Sequence, residues 1–435
     1  MPTAVQQNAT LRPLYVFREI NGVYERIGIL RTTEKGTSFA YEDDFANSAS
    51  AQSISLSLPL REQPYFDADA PAFFEGLLPE GILRRELANV VRANELRSAS
   101  LLAQLNNESI GGLVFNAEKE MPLGDRTYAP IEFDAVADLS EHPVRTALEM
   151  GISSRLSLAG AQTKIGLYHT GSDYASGWFR PEGSAPSNTI VKAATSAFPH
   201  QTINEAFCLS VARLCGFDVA RAELIPTSRE PLIALERFDR PLPEKPLFIN
   251  GLAAPVRLHQ EDFCQAAGLP SHRKYEPTDG QYLALGSRLL SRTVSNPFGD
   301  KMMFFDRVLF DYLIGNCDNH LKNNSILWDG RWSARELSPL YDITCTTMYS
   351  ALAREMGISL CESRRIDDVT AKDIRSAAMN AGISGALGWE HYLSLRDEFR
   401  AALPQAEQEI AERGFPEVHE LAAFIRKDSA VRCAL

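Results

Sequence analysis

The chain has 435 residues, more than one hydrophobic core usually organises, so its length favours two or three domains. Lys and Arg total 44 against 56 Asp and Glu, and the resulting net charge of −12 disfavours direct, unassisted binding to nucleic acid. Apolar residues at 45% and charged residues at 23% predict a folded globular chain. Because the seven cysteines form no CxxC pair and no apolar run is long enough to span a membrane, we expect a cytoplasmic protein with reduced thiols.

The first part of the chain is predicted to mix short strands with helix. Residues 14–17 have the composition of a strand, and residues 53–58 alternate serine with apolar residues at the period of a half-buried strand. Residues 71–90 show helical spacing with a break expected near Gly76 and Pro79. The polar sequence that follows predicts a linker or domain boundary near residues 120–150.

The middle of the chain resembles a small sheet that carries one main helix. Short apolar runs alternate with turns around a helix predicted at 202–214, and the runs are 165–168, 189–191 and 232–235.

Beyond residue 260 the pattern becomes helical. Asp300 is expected to cap a helix over 301–314, and Thr370 with Asp373 fits a capping box before the next helix. Residues 387–413 are rich in strong helix formers and predict a long helix.

A polar stretch, 318–323, follows the apolar helix predicted to end near Ile314. Its ends, Asp318 and Asn323, have the Asp-x-x-x-x-Asn spacing of kinase catalytic loops, which orient an attacking hydroxyl with the carboxylate and bind Mg²⁺ through the amide oxygen. The alternative is a polar loop whose Asp and Asn bond their own backbone. Asp342 follows the strand-like run 325–328 and suits a second Mg²⁺ ligand, although a turn aspartate is the simpler interpretation.

Two upstream features suit phosphate binding. Small residues in the stretch 159–164 lie between two predicted strands, where backbone N–H groups can approach a polyphosphate, although a plain hairpin turn also fits. Lys192 ends a strand, and Glu205 follows at the start of a helix, the order of the lysine–glutamate pair of kinases. Taken singly, a solvated strand-end lysine and a first-turn carboxylate are the simpler interpretations of these two residues.

Between these sets, residues 235–240 pass from an apolar strand into charged sequence, which suits a hinge beside an adenine ring or an ordinary strand terminus. The order of all five features is that of a nucleotide-binding kinase: small-residue loop, lysine strand, glutamate helix, hinge, and Asp/Asn loop followed by Asp.

These residues resemble the HipA-like serine/threonine kinases, the toxins of bacterial toxin–antitoxin pairs. The resemblance covers about residue 14 to beyond 400. It rests on strings that include Ser157-Leu158-Ala159-Gly160-Ala161-Gln162, Glu236-Arg237-Phe238-Asp239-Arg240, Arg257 through Gln265, Asn316 through Ser325, Pro339-Leu340-Tyr341-Asp342 and Phe73 through Gly81.

The resemblance implies a role for each matching residue. Asp318 would be the catalytic base, Asn323 and Asp342 would hold Mg²⁺, and Ser157 would be an inhibitory autophosphorylation site. The implied ATP contacts are the phosphate loop Ala159, Gly160, Ala161, Gln162, Thr163 and Lys164, then Lys192, then Glu236, Arg237 and Phe238 at the adenine, with His320, Lys322, Asn323, Tyr341 and Asp342.

The chain departs from the family pattern at two places. Thr163 stands where many members have Glu, which puts any contact of that acid in doubt. Between Asp318 and Asn323 the loop reads Asn-His-Leu-Lys, where a basic or small residue is often expected, yet no catalytic group is lost. His259 belongs to a family string, and we interpret it as a packing or capping residue in preference to a catalytic one.

The predicted fold is α+β and protein-kinase-like with two lobes. We expect an N-terminal α/β accessory subdomain over 1–145, a kinase N-lobe core with phosphate loop and hinge over 146–240, and an all-helical catalytic C-lobe over 241–435. The implied function is ATP- and Mg²⁺-dependent phosphorylation of a protein serine or threonine by a toxin, whose target is a translation-related protein such as an aminoacyl-tRNA synthetase. The implied partner is a small helix-turn-helix antitoxin that binds DNA.

Two other functions remain open at this point. One is a small-molecule phosphotransferase of the aminoglycoside- or choline-kinase type, which shares the Asp/Asn/Asp pattern. The other is a catalytically silent scaffold that joins antitoxin and DNA.

Overall fold

The computed structural model describes residues 13–33, 36–66, 71–91, 98–104, 109–122, 125–154, 162–171 and 173–435. The strands are β1 (Leu14–Ile20), β2 (Val23–Thr33), β3 (Gly36–Tyr41), β4 (Leu113–Asn116), β5 (Thr127–Ile131), β6 (Lys164–His169), β7 (Trp178–Glu182), β8 (Thr189–Lys192), β9 (Ala222–Ile225), β10 (Leu232–Glu236), β11 (Leu247–Ile249), β12 (Leu252–Ala254), β13 (Gln260–Asp262), β14 (Ser325–Trp328) and β15 (Arg335–Leu337). The helices are α1 (Asp43–Ala46), α2 (Pro71–Gly76), α3 (Gly81–Val90), α4 (Ser98–Leu102), α5 (Phe133–Glu141), α6 (Pro143–Ser154), α7 (Gln201–Leu214), α8 (Phe263–Ala267), α9 (Tyr282–Thr293), α10 (Pro297–Ile314), α11 (Ala371–Asn380), α12 (Gly385–Glu412) and α13 (Val418–Ser429).

The chain folds into two compact units, each assembled from discontinuous stretches. Unit 1 contains Met1–Ala193, Glu236–Ser271 and Leu327–Ala334. Unit 2 contains Ala194–Leu235, His272–Ile326 and Arg335–Leu435. The predicted borders at 145 and 240 remain predictions.

Unit 1 begins with an antiparallel sheet in the order β3-β2-β1-β4. Its core is aromatic: the ring of Phe74 on α2 lies 5.2 Å from Phe39 and 6.2 Å from Phe115. These three rings are almost completely buried, so α2 is fixed against the sheet by apolar burial.

Unit 1 also contains four antiparallel strands in the order β5-β7-β6-β8. Tyr128 and Tyr168 pack with ring centroids 4.2 Å apart in the core of this sheet. Lys164 at the start of β6 pairs with Lys192 at the end of β8, so two predicted phosphate-binding residues are neighbours in this sheet.

Unit 2 is mainly helical and contains α7, α9 to α13 and the β9–β10 hairpin. Its central helix, α10, is buried along its second half because the run Val308-Leu309-Phe310 and Tyr312-Leu313-Ile314 is apolar. Asn296 caps α10 and Pro297 occupies its first turn.

Most of the predicted elements are confirmed. The predicted strands lie within β1, β6, β8, β10 and β14, and the helix predicted at 202–214 is α7. The break near Gly76 and Pro79 separates α2 from α3, and the capping box of Thr370 and Asp373 is present at α11. The mixed α+β class is confirmed, while the part beyond residue 240 contains the short strands β11 to β15 besides its helices.

Three local predictions are wrong. The stretch near 120–150 is not a linker, because it contains β5, α5 and α6, while a domain boundary there remains a prediction. Residues 53–58 form a turn instead of a strand. Asp300 does not cap its helix, because α10 begins earlier, at Pro297 with Asn296 as its cap, and Asp300 accepts a hydrogen bond from the Leu337 N–H at 3.1 Å.

The turn at 53–58 forms around a buried carboxylate of the same unit. Glu261 accepts hydrogen bonds from Ser55 Oγ at 2.5 Å and from the Leu56 N–H at 3.1 Å. Ser57 Oγ donates to the Gln265 carbonyl at 2.7 Å. The alternating serines therefore have a structural role, because they make side-chain hydrogen bonds in a turn.

None of the helices in the described ranges is both long enough and apolar enough to cross a bilayer.

Candidate active site

The polar loop over 318–323 begins where α10 ends. Gly315 terminates α10 with φ of 84°, a left-handed conformation that favours glycine. A Cβ atom at this position would lie 2.4 Å from Thr347 Oγ1, so neither the backbone conformation nor the space admits a side chain. The glycine therefore fixes the direction in which the loop leaves the helix.

Backbone and carboxamide hydrogen bonds hold the loop in one shape. Asn316 Oδ1 accepts from the Asp318 N–H at 3.0 Å, and the Asp318 carbonyl accepts from the His320 N–H at 2.8 Å. Asn323 Nδ2 donates to the same Asp318 carbonyl at 2.9 Å, which closes the loop. The amide nitrogen of Asn323 is thus used within the loop, and its Oδ1 is the end of the amide suited to a cation.

The Asp318 carboxylate is fixed but accessible. Its side chain is 49% exposed, and Tyr275 Oη donates to its Oδ1 at 2.5 Å. His320 Nε2 lies 4.0 Å from the same oxygen, and its ring meets the Tyr275 ring edge-on at 5.1 Å. A carboxylate held through one oxygen and open to solvent suits a base that must receive an outside hydroxyl.

A tyrosine connects the Asp342 segment to the Asn323 segment. Tyr341 Oη donates to the Lys322 carbonyl at 2.9 Å and lies 2.6 Å from Ser325 Oγ. Asn323 follows Lys322 in the chain and Asp342 follows Tyr341, so this hydrogen bond joins the two segments. Asp342 has φ of 59°, an uncommon backbone conformation for a residue other than glycine that is found preferentially at functional sites.

The two oxygen-bearing side chains are of the kind that Mg²⁺ prefers. This ion accepts hard oxygen ligands and usually retains several waters, so it needs one or two side chains besides substrate phosphates. Asn323 would supply a carboxamide oxygen and Asp342 a carboxylate. These oxygen donors fit Mg²⁺ better than zinc or copper, because neither residue offers an imidazole nitrogen or a thiolate sulfur.

The side-chain amides of Asn319 and Asn204 each hydrogen-bond to the backbone of a neighbouring segment. Asn319 donates to the Ile358 carbonyl and accepts from the Ile358 N–H, both at 3.1 Å. Asn204 on α7 makes the same two-way contact with Cys345, at 3.1 and 2.8 Å. The loop and the segment after Asp342 are therefore fixed by buried backbone pairing.

The predicted phosphate-binding residues of unit 1 are brought together in part. Gln162 Nε2 donates to the Ala193 carbonyl at 3.1 Å, and the Thr163 carbonyl accepts from the Ala193 N–H at 3.3 Å. Thr163 and Lys192 are buried. The end of the predicted loop therefore lies beside the end of β8, which agrees with a shared role.

The predicted hinge contains a buried ionic cluster. Arg237 donates to Asp239 at 2.9 and 2.7 Å, to Ser187 Oγ at 3.0 Å and to the Ser109 carbonyl at 3.0 Å. Arg240 donates to the same Asp239 at 2.7 Å. These bonds give the Arg237 side chain a structural role, and the adenine contacts of Glu236, Arg237 and Phe238 stay predictions.

His259 is a packing residue in the structure, in line with the interpretation preferred above. It is buried, its ring stacks on Trp332 at 4.3 Å with an interplanar angle of 5°, and its Nε2 lies 2.7 Å from the Ile54 carbonyl oxygen.

Some predicted residues cannot be placed. Ser157, Ala159, Gly160 and Ala161 lie outside the described residues. Lys192 belongs to unit 1 and Glu205, buried on α7, belongs to unit 2, so their pairing remains a prediction.

Sequence reasoning missed two residues of the site. Tyr275 lies 43 positions before Asp318 in irregular sequence, and no local pattern points to it. Asp311 is the one charge within the apolar run 308–314 at the end of α10, and such an isolated carboxylate is a signal that could have been recognised. It accepts from Asn316 Nδ2 at 2.7 Å, and burial raises the pKa of its carboxyl to about 7.

Comparisons with known proteins agree with this geometry. Residues 156–414 match the model of the HipA-like C-terminal domain, and residues 21–116 match that of the HipA N-terminal domain. A Sinorhizobium fredii protein provisionally named as a kinase, Y4mE, is 30% identical over 86% of this chain and 87% of its own length. The serine/threonine-protein kinase toxin HipA of Shewanella oneidensis is 28% identical over 78% of this chain and 76% of its own.

A solved structure has the same fold. It is a Shewanella oneidensis complex of HipA with HipB and operator DNA, and it superimposes with a TM-score of 0.78 over 97% of this chain and 96% of the other at 23% identity. The predicted protein-kinase-like α+β fold is thereby confirmed.

Proposed function

The chain belongs to the HipA-like family, and from that premise we propose that it is an ATP- and Mg²⁺-dependent kinase that phosphorylates serine or threonine on a protein. The observation that carries the proposal is the Asp318 loop. Its carboxylate is held through one oxygen and half-exposed, and Tyr341 ties the loop to the segment that carries Asp342.

The site residues divide the chemistry among them. Asp318 orients the acceptor hydroxyl and receives its proton as the phosphoryl group is transferred. Asn323 and Asp342 would hold Mg²⁺, which when bound neutralises charge on the phosphates. Lys164 and Lys192, opposite each other on β6 and β8, supply positive charge for the ATP phosphates.

We extend the proposal to a toxin restrained by a partner. One relative is named as a serine/threonine-protein kinase toxin, and the solved structure of the same fold contains HipB and operator DNA. For this chain we propose a small helix-turn-helix antitoxin as partner, and a translation-related protein such as an aminoacyl-tRNA synthetase as substrate. The net charge of −12 supports contact with DNA through a basic partner.

Ser157 is proposed to be a site of inhibitory autophosphorylation. It precedes the small-residue stretch 159–164 by two positions. A phosphate there adds about −1.5 to −2 charges beside residues that must hold a polyphosphate, and this repulsion would oppose ATP binding.

The test is transfer of labelled phosphate from ATP in a cell lysate with Mg²⁺. We expect label on a protein band with the native chain and no detectable label with Asp318→Asn, because that change removes the base. Asp368→Asn is the matched control, since Asp368 is an exposed aspartate of the same unit outside the site, and it should retain full transfer.

The outcomes separate the competing functions. Label confined to small molecules would support the phosphotransferase alternative, and absence of transfer by the native chain would support the silent scaffold. Intact-mass spectra after incubation with MgATP should show one added phosphate that Ser157→Ala abolishes. A native chain that transfers label but gains no phosphate at Ser157 would contradict self-inhibition alone.

A further inference from the structure

A fully buried carboxyl group lies at the base of the candidate catalytic loop. Asp311 is in the last turn of α10 and is 6% exposed. Both the apolar surroundings and the negative end of the helix dipole disfavour its ionised form. An isosteric Asn would avoid this cost, so the presence of a carboxyl group requires an explanation.

The contacts of Asp311 lead directly to Asp318. Asn316 Nδ2 donates to Asp311 Oδ1 at 2.7 Å, and Asn316 Oδ1 accepts from the Asp318 N–H at 3.0 Å. The Asn319 amide also favours the ionised form of Asp311 and so lowers its pKa. The Asp311 carbonyl accepts from the Gly315 and Asn316 N–H groups at 3.1 and 2.8 Å. One residue thus contacts the loop through both its side chain and its backbone.

We propose that Asp311 is a positioning residue for the catalytic loop, whose ionised carboxylate orients Asn316 and, through Asn316, holds the backbone of Asp318. The inference deepens the proposed kinase function and rests on it. An ionised carboxylate can accept from the Asn316 amide through either oxygen and presents no proton of its own. Charge-assisted bonds of this kind are also stronger than bonds between neutral groups.

The charges around Asp311 act on its ionisation in opposite directions. Arg307, one turn earlier on α10, favours the carboxylate, while the charge of Asp318 in the loop opposes it. From α7, Cys208 faces the same group, since the Asp311 charge is among the causes that raise the pKa of that thiol. Burial is the largest influence and raises the pKa of Asp311 to about 7.

The proposal therefore makes loop order dependent on pH in the neutral range. Above pH 7 the ionised carboxylate accepts from Asn316, and the loop is held. Below pH 7 the protonated carboxyl group loses the charge that strengthens this bond, and the loop is held less firmly.

The experiment compares the full-length native chain with Asp311→Asn by two readouts. The first is amide hydrogen exchange of the peptide that contains residues 315–320, referenced to intrinsic rates at each pH. We expect native protection at pH 8 to exceed that at pH 6 by about tenfold, the size expected for loss of one charge-assisted hydrogen bond. Asp311→Asn should show the lower protection at both values.

The second readout is the pH profile of kcat for phosphate transfer. The native profile should rise through about pH 7, and Asp311→Asn should lower kcat at pH 8 about tenfold, remove that rise, and change KM for ATP by less than about twofold. A merely structural role would lower kcat equally at every pH.

Asp306→Asn provides the matched control. Asp306 is a second aspartate on α10 that pairs with His391 at 2.9 Å, has a raised pKa of about 6 and makes no contact with the loop among the described residues. Asp306→Asn should leave the amide hydrogen exchange of residues 315–320 and the pH profile of kcat unchanged.

Three results separate failure of this inference from failure of the proposed function. Native-like loop protection in Asp311→Asn at pH 8, or equal loss in Asp306→Asn, would overturn the inference whether or not the chain is a kinase. Absence of transfer by the native chain, with the expected pattern of exchange, would overturn the kinase function while retaining Asp311 as the loop's positioning residue.

Discussion

Tyr275 holds one oxygen of the Asp318 carboxylate, which we propose as the catalytic base. Its hydroxyl donates to Oδ1 at 2.5 Å, which leaves Oδ2 for the acceptor hydroxyl in the proposed reaction. The ring is itself held edge-on against His320 at 5.1 Å and has the Lys274 ammonium 5.5 Å from its centroid. A residue without a proposed role in proton transfer thus orients the base.

Removal of this hydroxyl should slow the reaction without weakening nucleotide binding. We expect Tyr275→Phe to lower kcat about tenfold, because a hydrogen bond to a carboxylate contributes about 1.5–3 kcal/mol and is used here for orientation. KM for ATP should change by less than about twofold. Steady-state kinetics with the labelled-phosphate assay would measure both.

Tyr282→Phe is the control for this change. Tyr282 lies in the same unit, and its hydroxyl donates to the Arg273 carbonyl at 2.6 Å, away from the loop. It should retain native kcat. Equal kinetics for the native chain and Tyr275→Phe would show that Asp318 is oriented by other contacts.

The residues of the site differ in how far sequence alone could predict them. That Asp318 and Asn323 share one loop was predictable, because they lie five positions apart in a polar stretch, while their roles in the reaction remain a prediction. Tyr275 was not predictable, since its contact with Asp318 exists only after the chain has folded. Arg237 makes buried hydrogen bonds to Asp239 and the Ser109 carbonyl that no local pattern predicts, and its contact with adenine remains a prediction.

At the scale of elements, α7 serves as a support for the segment that follows Asp342. Its Asn204 is fully buried and exchanges two hydrogen bonds with the backbone of Cys345. The same amide approaches Tyr349 Oη at 3.3 Å. Both backbone groups of Cys345 depend on this one side chain, so its loss leaves them without a partner in a buried place.

Asn204→Ala should therefore destabilise the protein and weaken MgATP binding together. We expect the free energy of unfolding to fall by about 2–3 kcal/mol, because buried donor and acceptor groups lose their partner. Urea denaturation would measure the stability, and calorimetric titration with MgATP would measure the binding.

Ser210→Ala on the same helix is the comparison. Ser210 Oγ donates to Glu409 at 2.8 Å in a half-buried position, so its loss should cost less than about 1 kcal/mol and leave MgATP binding unchanged. Similar stability losses for the two variants would mean that the Cys345 contact is not a special support.

Elements were predictable where periodicity reflects burial on one side. The apolar patterns of α7 and β8 match their buried faces, and the capping box at α11 is encoded within four residues. The stretch near 120–150 failed because β5 and its neighbouring helices bury few side chains and appear polar. The turn at 53–58 failed because the partner of its serines is Glu261, some two hundred positions away.

For the whole molecule, carboxyl groups with shifted pKa values influence stability in two opposing ways as pH changes. Asp428 and Asp367 have lowered pKa values, and arginine contacts are among the causes, so their contribution to stability is present above their ordinary pKa and is lost as pH falls below it. Asp311 and Asp306 have raised pKa values of about 7 and about 6, mainly because of burial. Their contribution is complete below the ordinary value of 3.8 and is lost as pH rises through 6 to 7.

The sum of these contributions predicts maximum stability near pH 5, with a decline toward pH 8. We expect the melting temperature to fall by about 2–5 °C between pH 5.5 and 8, since carboxyl groups that must ionise in a dry interior oppose folding there. The net charge of −12 adds repulsion in the same direction. Thermal unfolding across this range, at constant ionic strength, would measure the trend.

Asn substitutions distinguish the effect of the buried carboxyl groups on stability from the effect of net charge. Asp311→Asn and Asp306→Asn should each flatten the decline, whereas Asp368→Asn removes one exposed charge and should leave its slope nearly unchanged. If the melting temperature falls with the same slope in all three variants, net charge causes the decline. If the slope follows Asp311, the ionisation that we propose to order the catalytic loop above pH 7 is also the one that weakens the fold, so loop order is obtained at the expense of stability.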